Sequence, residues 1–387
     1  MAEMPNAATG LQPTELGALP LQSAHKPNKG RRSAADQRFP ISLCRRNLYG
    51  NCGVSDVTVG TNPFDDVAVG PILGQGSYGV VYKGTWNLSP VAVKVIKQHM
   101  SGQQAKDVTG ELEAILALKL MHPNIVRTFK YATVPRKLPV WTRQASLLAA
   151  DKRPADSHPM ANVLETAPVL QDEYLCPRNQ QIAETWIVME LCKCSLQEQI
   201  DQGVFQAKPE ATKLKWILLT AAEIVSAMAY LHSQQVLHGD LTGSNCLLVP
   251  NPCIDDRPFS VRLCDFGLSR LLVDEGAVQT RSYGTVTHMP LELLREGRLC
   301  FAADVYAFGV LLWSMWSGQR PWAGKHEVQI ISQKLNDGAV LVLPEDAPQS
   351  YKELATRCMA ADESTRPSFR EIVEMLKWML EDVRQTG

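Results

Sequence analysis

The order of the predicted elements constrains this fold most strongly, because short strands come first and long apolar helices follow. Runs rich in Val and Ile, separated by Gly and Pro turn signals, predict three strands over residues 68–73, 80–83 and 91–96. A helix over 108–121 and two further strands over 125–132 and 185–191 follow. From residue 193 onward the apolar residues recur at helical spacing. The sequence thus indicates a strand-rich part followed by a helix-rich part.

The helix-rich part contains two long, mostly apolar stretches, residues 216–231 and 305–316, and a last helix is predicted over 369–383. Glu223 and Ser314 interrupt the two stretches. Both stretches are shorter than the roughly 20 residues that a bilayer requires. We therefore expect buried helices and no membrane span.

Two segments lack any regular pattern. Residues 1–62 carry five prolines and no long apolar run, which predicts a disordered N-terminal tail. Residues 134–184 carry six prolines between two predicted strands. Because so long a structureless connection is unusual inside a domain, this stretch is interpreted as a low-order insertion on the surface.

Charge and cysteine content limit the class of partner and the compartment. Lys and Arg number 39 and Asp and Glu number 40, for a net charge of −1. A nucleic-acid partner is not expected, since binding to phosphates usually requires a basic excess. The ten cysteines lack zinc-site spacing, and the first residues lack the features of a secretory signal. Reduced thiols in the cytoplasm are therefore expected, with the nucleus as an alternative.

A glycine-rich loop, GQGSYG, occupies residues 74–79. Glycines let backbone N–H groups approach phosphate oxygens, because no Cβ intervenes. A simple tight turn is an equally good interpretation of the glycines alone. A dinucleotide-binding loop would open a helix, whereas residues 80–83 read as a strand. The loop is therefore interpreted as a hairpin that covers phosphates.

A lysine, Lys94, lies inside the apolar strand 91–96. A buried ammonium needs partners, so Lys94 either extends to water from an edge strand or pairs with phosphates and a carboxylate. The helix over 108–121 offers Glu113 as the expected carboxylate, with Glu111 as the second choice.

Two polar motifs follow in the second part of the chain. Residues 238–245, HGDLTGSN, come directly after the long helix, and Asp265-Phe266-Gly267 follows a predicted strand over 261–264. With the glycine loop and Lys94, these motifs resemble those of a eukaryotic protein kinase. Three further segments agree with that resemblance: residues 284–292, 304–310 and 366–369. The DVYAFGVLLW stretch from residue 304 is most similar to the tyrosine-kinase-like group.

The resemblance covers roughly residues 68–382 and implies an α+β, two-lobed protein-kinase-like fold. A small, mainly β N-lobe with one key helix would span residues 63–191, including the insertion. A larger, mainly α C-lobe would span residues 192–383. It also implies an ion pair between Arg366 and Glu292, which would be structural.

The resemblance further implies ATP and Mg²⁺ as cofactors, a protein substrate, and a role for each motif. Asp240 would orient the substrate hydroxyl and accept its proton, and Thr285 would contact Asp240 directly. Asn245 and Asp265 would bind Mg²⁺, and Glu113 would hold Lys94 against the phosphates. The nucleotide would be contacted by Leu73, Gly74, Gly76, Ser77, Gly79, Val81, Ala92, Lys94, Glu190, Cys192 and Leu247.

Three departures from the family pattern bear on specificity and regulation. Gly239 replaces the arginine that usually receives an activation-segment phosphate, so phosphorylation there is not expected to be the main on-switch. Thr242 and Ser244 stand where a Ser/Thr kinase has a lysine and a tyrosine kinase an arginine, which leaves dual or tyrosine specificity open. Gly284 and Thr285 favour Ser/Thr substrates. A scaffold or nucleotide-binding module without catalysis is the other hypothesis, and the sequence does not indicate the substrate's identity or the oligomeric state.

Overall fold

A five-stranded antiparallel sheet forms the first part of the protein, in a computed structural model that describes residues 62–76, 79–100, 109–137, 181–251, 255–271, 277–280 and 284–386. Its strands are β1 (Val67–Gly76), β2 (Gly79–Trp86), β3 (Ser89–Met100), β4 (Thr128–Lys137) and β5 (Gln181–Glu190). They lie in the order β1-β2-β3-β5-β4. One face of β3 buries Val91, Val93 and Val95 against Trp186 and Val188.

The opposite face of the sheet packs against helix α1 (Thr109–Lys119). Ile96, Ala114 and Ile187 form the contact. The other side of α1 enters the core of the second part through Leu116 and Ala117. The helix therefore bridges the two parts of the fold, so its position is coupled to both.

Helices dominate the second part. They are α2 (Leu196–Asp201), α3 (Glu210–Ser233), α4 (Leu291–Glu296), α5 (Phe301–Ser317), α6 (Glu327–Asn336), α7 (Gln349–Cys358) and α8 (Phe369–Thr386). Nearly the whole of α5 is buried, as its all-round apolar sequence predicts, and α3 packs against α8 beside it. The larger core of the protein lies between these helices.

Short strands place the loops between helices. They are β6 (Cys194–Ser195), β7 (Val236–Leu237), β8 (Cys246–Pro250), β9 (Phe259–Leu263), β10 (Arg270–Leu271), β11 (Ala277–Gln279) and β12 (Arg298–Cys300). Strands β6, β8 and β9 form one small sheet, β7 pairs with β10, and β11 pairs with β12. The Leu263 N–H donates to the Asn124 carbonyl, and the Leu263 carbonyl accepts from the Val126 N–H. These backbone hydrogen bonds join the small sheet to the chain just before β4.

Helix α3 is long and apolar enough to cross a membrane by length and composition alone, and 56% of its most apolar window is buried in the protein. It is longer than the apolar stretch recognised in the sequence. Glu223, within it, accepts hydrogen bonds from Arg257 and from the backbone N–H of Val261. The burial of the helix is typical of a core helix in a folded domain.

The expected fold class is confirmed, with a mainly β N-lobe and a mainly α C-lobe. The bounds of the predicted insertion, 134–184, are wrong at both ends, because β4 and β5 pair from Val134 with Glu184 to Lys137 with Gln181. Pro135 suggested a break, but β4 is an edge strand, where a proline is tolerated. Residues 138–180 and the predicted tail up to residue 61 lie outside the described residues.

A buried ion pair joins Arg366 to Glu292 in the C-lobe. The Arg366 Nη1 and Nη2 atoms donate to the two Glu292 oxygens over 2.6 and 3.0 Å. Arg366 also donates to the backbone carbonyls of Ala302 and Ala360. Arg366 therefore fixes the first turn of α5 and the segment between α7 and α8 relative to α4.

Arg366→Met should lower the free energy of unfolding by about 3–5 kcal/mol, because it leaves the Glu292 carboxylate buried without a partner. Urea denaturation measures this loss. The matched control is Lys377→Met, which removes an exposed pair with Glu374 on α8 and should change stability by less than about 0.5 kcal/mol. Equal effects of the two substitutions would contradict a structural role for the buried pair.

Candidate active site

The Lys94 ammonium lies between two carboxylates from different parts of the chain. Its Nζ donates to Glu113 Oε1 over 2.6 Å and to Asp265 Oδ1 over 3.0 Å. Lys94 is only 7% exposed, so it does not extend to water from an edge strand. The partner on α1 is Glu113, as predicted, and not Glu111. The Lys94 ammonium thus links strand β3, helix α1 and the segment after β9.

The charges at this point stabilise one another. Burial opposes the charged form of Lys94, but the Glu113 and Asp265 carboxylates outweigh it and raise the pKa of the ammonium. Burial raises the pKa of the Asp265 carboxyl, but Lys94 and the Gly267 N–H outweigh this effect and hold that pKa below its usual range. Lys94 and Asp265 are therefore both ionised at neutral pH.

The hairpin of β8 and β9 brings Asn245 and Asp265 to the same end of the small sheet. Cys246, after Asn245, pairs with Leu263, and the Cys264 N–H donates to the Asn245 carbonyl over 2.9 Å. Asp265 has a φ of 67°, which few residues other than glycine adopt. Such a backbone conformation is commonly held at functional sites by the surrounding structure.

The Asp240 carboxylate is held on both of its oxygens. Asn245 Nδ2 donates to Asp240 Oδ2 over 3.0 Å, and both the N–H and the hydroxyl of Thr285 donate to Oδ1 over 2.9 Å. The predicted contact between Thr285 and Asp240 is therefore present. The orientation of the carboxylate is fixed by groups from two separate loops, which suits a residue that must meet a reacting hydroxyl.

The loop that carries Asp240 is held by hydrogen bonds to the buried carboxylate of Asp304. Asp304 was not assigned to the site from the sequence. The backbone N–H groups of His238 and Gly239 donate to the two Asp304 oxygens, each over 2.9 Å. His232 Nε2 lies 3.0 Å from Oδ2. Asp304 is the one acidic residue of the apolar helix α5, and a buried charge in such a setting was a signal that could have identified it.

Several predicted nucleotide contacts share one face of the N-lobe sheet. Val81 is the cross-strand partner of Lys94, and Ala92 lies on the same face two residues earlier. Gly74 pairs with Val81 at the start of the hairpin, and Gly76 pairs with Gly79 at its end. Ser77 lies outside the described residues.

The other predicted nucleotide contacts lie on three separate parts of the fold. Leu73 is exposed on β1, Glu190 ends β5, and Leu247 lies on β8 opposite Ser195. Cys192 follows β5 in the connection to the C-lobe, where burial raises the pKa of its thiol to about 12. Their contacts with a nucleotide stay predictions.

The donor set of Asn245 and Asp265 fits a hard divalent cation, which prefers oxygen ligands. Asn245 Nδ2 is engaged by Asp240, so its amide oxygen is the atom offered to a ligand. On Asp265, Lys94 and the Gly267 N–H both contact Oδ1, which leaves Oδ2 as the oxygen for a cation. We expect these two oxygens to hold the metal.

Comparisons with known proteins agree with this geometry. A family profile described as "Protein tyrosine and serine/threonine kinase" matches residues 67–143 and 156–376. The probable serine/threonine-protein kinase SIS8 of Arabidopsis thaliana is 27% identical over 362 residues, which cover 92% of this chain and 28% of that protein. The serine/threonine-protein kinase CTR1 of the same plant is 26% identical over 318 residues, or 81% and 32% of the two chains. The probable serine/threonine-protein kinase drkA of Dictyostelium discoideum is 28% identical over 318 residues, or 80% and 39%. The chain thus spans less than half the length of these relatives.

Lys94→Met should destabilise the protein by about 3 kcal/mol at pH 8, because it leaves the buried Glu113 carboxylate and the partly buried Asp265 carboxylate without their cation. In the wild type Lys94 holds the pKa of Asp265 below its ordinary value and limits the rise that burial imposes on the pKa of Glu113. In the variant the stranded carboxyls have raised pKa values and take up protons as the pH falls. The deficit should therefore shrink between pH 8 and about pH 5 when urea denaturation is repeated across that range.

The matched control is Lys215→Met on α3, where an exposed lysine pairs with an exposed carboxylate, Asp256. We expect a loss below about 1 kcal/mol with little dependence on pH. A Lys94→Met deficit that is constant, or that grows as the pH falls, would contradict the arrangement of charges described above.

Proposed function

The chain belongs to the protein tyrosine and serine/threonine kinase family, and we propose that it transfers the terminal phosphoryl group of ATP to Ser and Thr hydroxyls of proteins. Within the family we assign it to the tyrosine-kinase-like group. The family implies ATP and a divalent metal, and we propose Mg²⁺ as that metal. The observation that carries the proposal is a connected series of contacts. Lys94 donates to Asp265, the Cys264 N–H beside Asp265 donates to the Asn245 carbonyl, and Asn245 donates to Asp240.

The reaction breaks the bond between the terminal phosphorus and the ADP oxygen and forms a bond to the substrate oxygen, whose proton goes to Asp240. Asp240 is held by Thr285 and Asn245, so it is oriented before the substrate arrives. Lys94 supplies a fixed positive charge for the phosphates, and Glu113 keeps it in place. When bound to Asn245 and Asp265, the metal neutralises charge on the phosphates. Positioning and electrostatics supply most of the rate in such a transfer.

Ser/Thr specificity is supported by Thr285 and by the names of the relatives, which are serine/threonine-protein kinases. Thr242 is buried, and its hydroxyl accepts a hydrogen bond from the Asn245 N–H, so it supports the loop. Neither Thr242 nor Ser244 provides a cation for the phosphates. A scaffold without catalysis is less well supported, because every charged group that the transfer needs is in place.

We also propose that phosphorylation of the segment before Thr285 is not the main on-switch. Gly239 has a φ of 77°, and a Cβ there would meet the Leu268 carbonyl oxygen at 3.0 Å, so the position favours glycine. Residues 277–280 of that segment are held by backbone hydrogen bonds, with no need of a phosphate. Strand β11 pairs with β12, and the Thr280 N–H donates to the Gly297 carbonyl.

We propose the cytoplasm, or the nucleus, as the location, with a protein as substrate. The cysteines that the structure describes are free thiols, which suits a reducing compartment.

The central test of this function is incubation of the protein with ATP, Mg²⁺ and a peptide library. We expect phosphate on Ser and Thr but not on Tyr, and loss of transfer with a chelator that excess Mg²⁺ restores. Asp240→Asn should lower the rate about 100-fold or more, because the proton acceptor is lost. The control is Asp337→Asn at an exposed helix end, which should leave the rate unchanged. Transfer to Tyr alone, or an Asp240→Asn variant as active as the control, would contradict the proposal.

Thr280→Ala should keep its activity within about twofold, since no arginine stands at Gly239 to bind a phosphate there. The peptide assay above measures this, and Ser282→Ala, at a residue outside the described part, belongs in the same series. Thr285→Ala is expected to lose activity for a different reason, because its hydroxyl holds Asp240. If Thr280→Ala or Ser282→Ala were inactive and a phosphomimetic residue restored activity, phosphorylation would be the switch after all.

A further inference from the structure

A buried lysine on α6, Lys334, contacts the segment that directly follows Thr285. Lys334 is 2% exposed. Its Nζ donates to the backbone carbonyls of Val286, Thr287 and Met289 over 3.2, 3.1 and 2.9 Å. An ammonium has three N–H donors, so these three oxygens satisfy it completely.

Among the residues that the structure describes, no carboxylate lies within ion-pair distance of Lys334. Two aromatic rings flank it instead, Tyr306 and Trp322, each with its centroid 5.4 Å from Nζ. Burial lowers the pKa of Lys334 to about 7, and the carbonyl oxygens and the rings oppose that change by favouring the ammonium. Burial, together with the Lys334 charge, lowers the pKa of nearby His288 to about 3, so that ring is neutral.

An apolar residue would satisfy the packing at this position equally well. Ile330, one turn earlier on α6, is buried on the same face and shows what that face accepts. A Leu or Met at position 334 would avoid burying a charge, but the carbonyl oxygens of Thr287 and Met289 would lose this donor, whereas Val286 would keep the Met289 N–H. The presence of lysine is therefore explained by the backbone that it binds and not by the core that it fills.

The bound backbone lies next to the proposed proton acceptor. Residues Val286–His288 form a single 3-10 turn, and Thr285 immediately before them donates twice to Asp240. A turn of this length has few hydrogen bonds of its own, so its shape depends on outside contacts. Asp240 and Thr285 line the same cavity as His288 and Met289 of the segment that Lys334 binds.

We propose that Lys334 is a positioning residue for the protein substrate, whose ammonium holds residues 286–289 in the shape that admits a peptide hydroxyl to Asp240. This role rests on the proposed kinase function. It acts through the backbone of the turn, so it affects the peptide and not the nucleotide, whose expected contacts lie on other elements.

The first test is steady-state kinetics of the full chain with Lys334→Met, which keeps the length of the side chain and removes the ammonium. We expect KM for a Ser peptide to rise about tenfold or more, as for the loss of charge-assisted hydrogen bonds, with KM for ATP unchanged. Lys325→Met is the matched control, because Lys325 also lies over the Trp322 ring but is exposed. A variant that was merely less stable would lose kcat while keeping the wild-type KM for the peptide, and that result would overturn the proposal.

The second test does not depend on activity. Hydrogen exchange should be faster at the amides of His288 and Met289 in Lys334→Met than in the wild type and in Lys325→Met, because their bonds to Thr285 and Val286 are no longer supported. Unchanged exchange in that turn would overturn the role of Lys334 even in an active enzyme. If the wild type phosphorylated no peptide, the proposed kinase function would be wrong. Faster exchange in Lys334→Met would in that case still show that Lys334 stabilises the turn.

Discussion

The ammonium of Lys94 is the charge on which the rest of the structure depends. It joins a strand of the N-lobe, the helix that bridges the lobes, and the segment after β9 through contacts with Glu113 and Asp265. None of these groups would be stable alone at this burial, since an unpaired charge there is strongly disfavoured. The two lobes therefore adopt one relative arrangement at this point because the charges require each other. The site forms where these charges meet. Asn245 and Asp240, which are hydrogen-bonded to each other, add the groups proposed to face the metal and the substrate hydroxyl.

Other buried charged side chains organise the C-lobe by binding backbone groups. Asp304 accepts from the loop that carries Asp240, Lys334 donates to the turn after Thr285, and Arg366 donates to two carbonyls near α5 and α8. The loop before Asp240, the turn after Thr285 and the segment after α7 are irregular, so they leave N–H or C=O groups for which a charged side chain from a helix or its flank supplies the partner. Loops that must keep a defined shape near the reacting groups are thereby attached to the rigid helices behind them.

Much of the fold and of the site could be predicted from the sequence where local pattern decides the outcome. Lys94 and Glu113 were identified because a lysine in an apolar strand requires a carboxylate, and a helix followed at once. Predictions failed where tertiary context decides. Pro135 suggested a loop, but the edge position of β4 accommodates it. Lys334 was missed because a lysine in a polar helix is ordinary, and only the fold shows which carbonyls it meets.

The most direct measurement is a crystal structure of the protein with Mg²⁺, a non-hydrolysable ATP analogue and a Ser peptide. The account predicts the phosphates against Lys94, with the cation on oxygens of Asn245 and Asp265. It also predicts the serine hydroxyl between the terminal phosphorus and Asp240. A nucleotide bound away from Lys94, or a cation held by other residues, would contradict it.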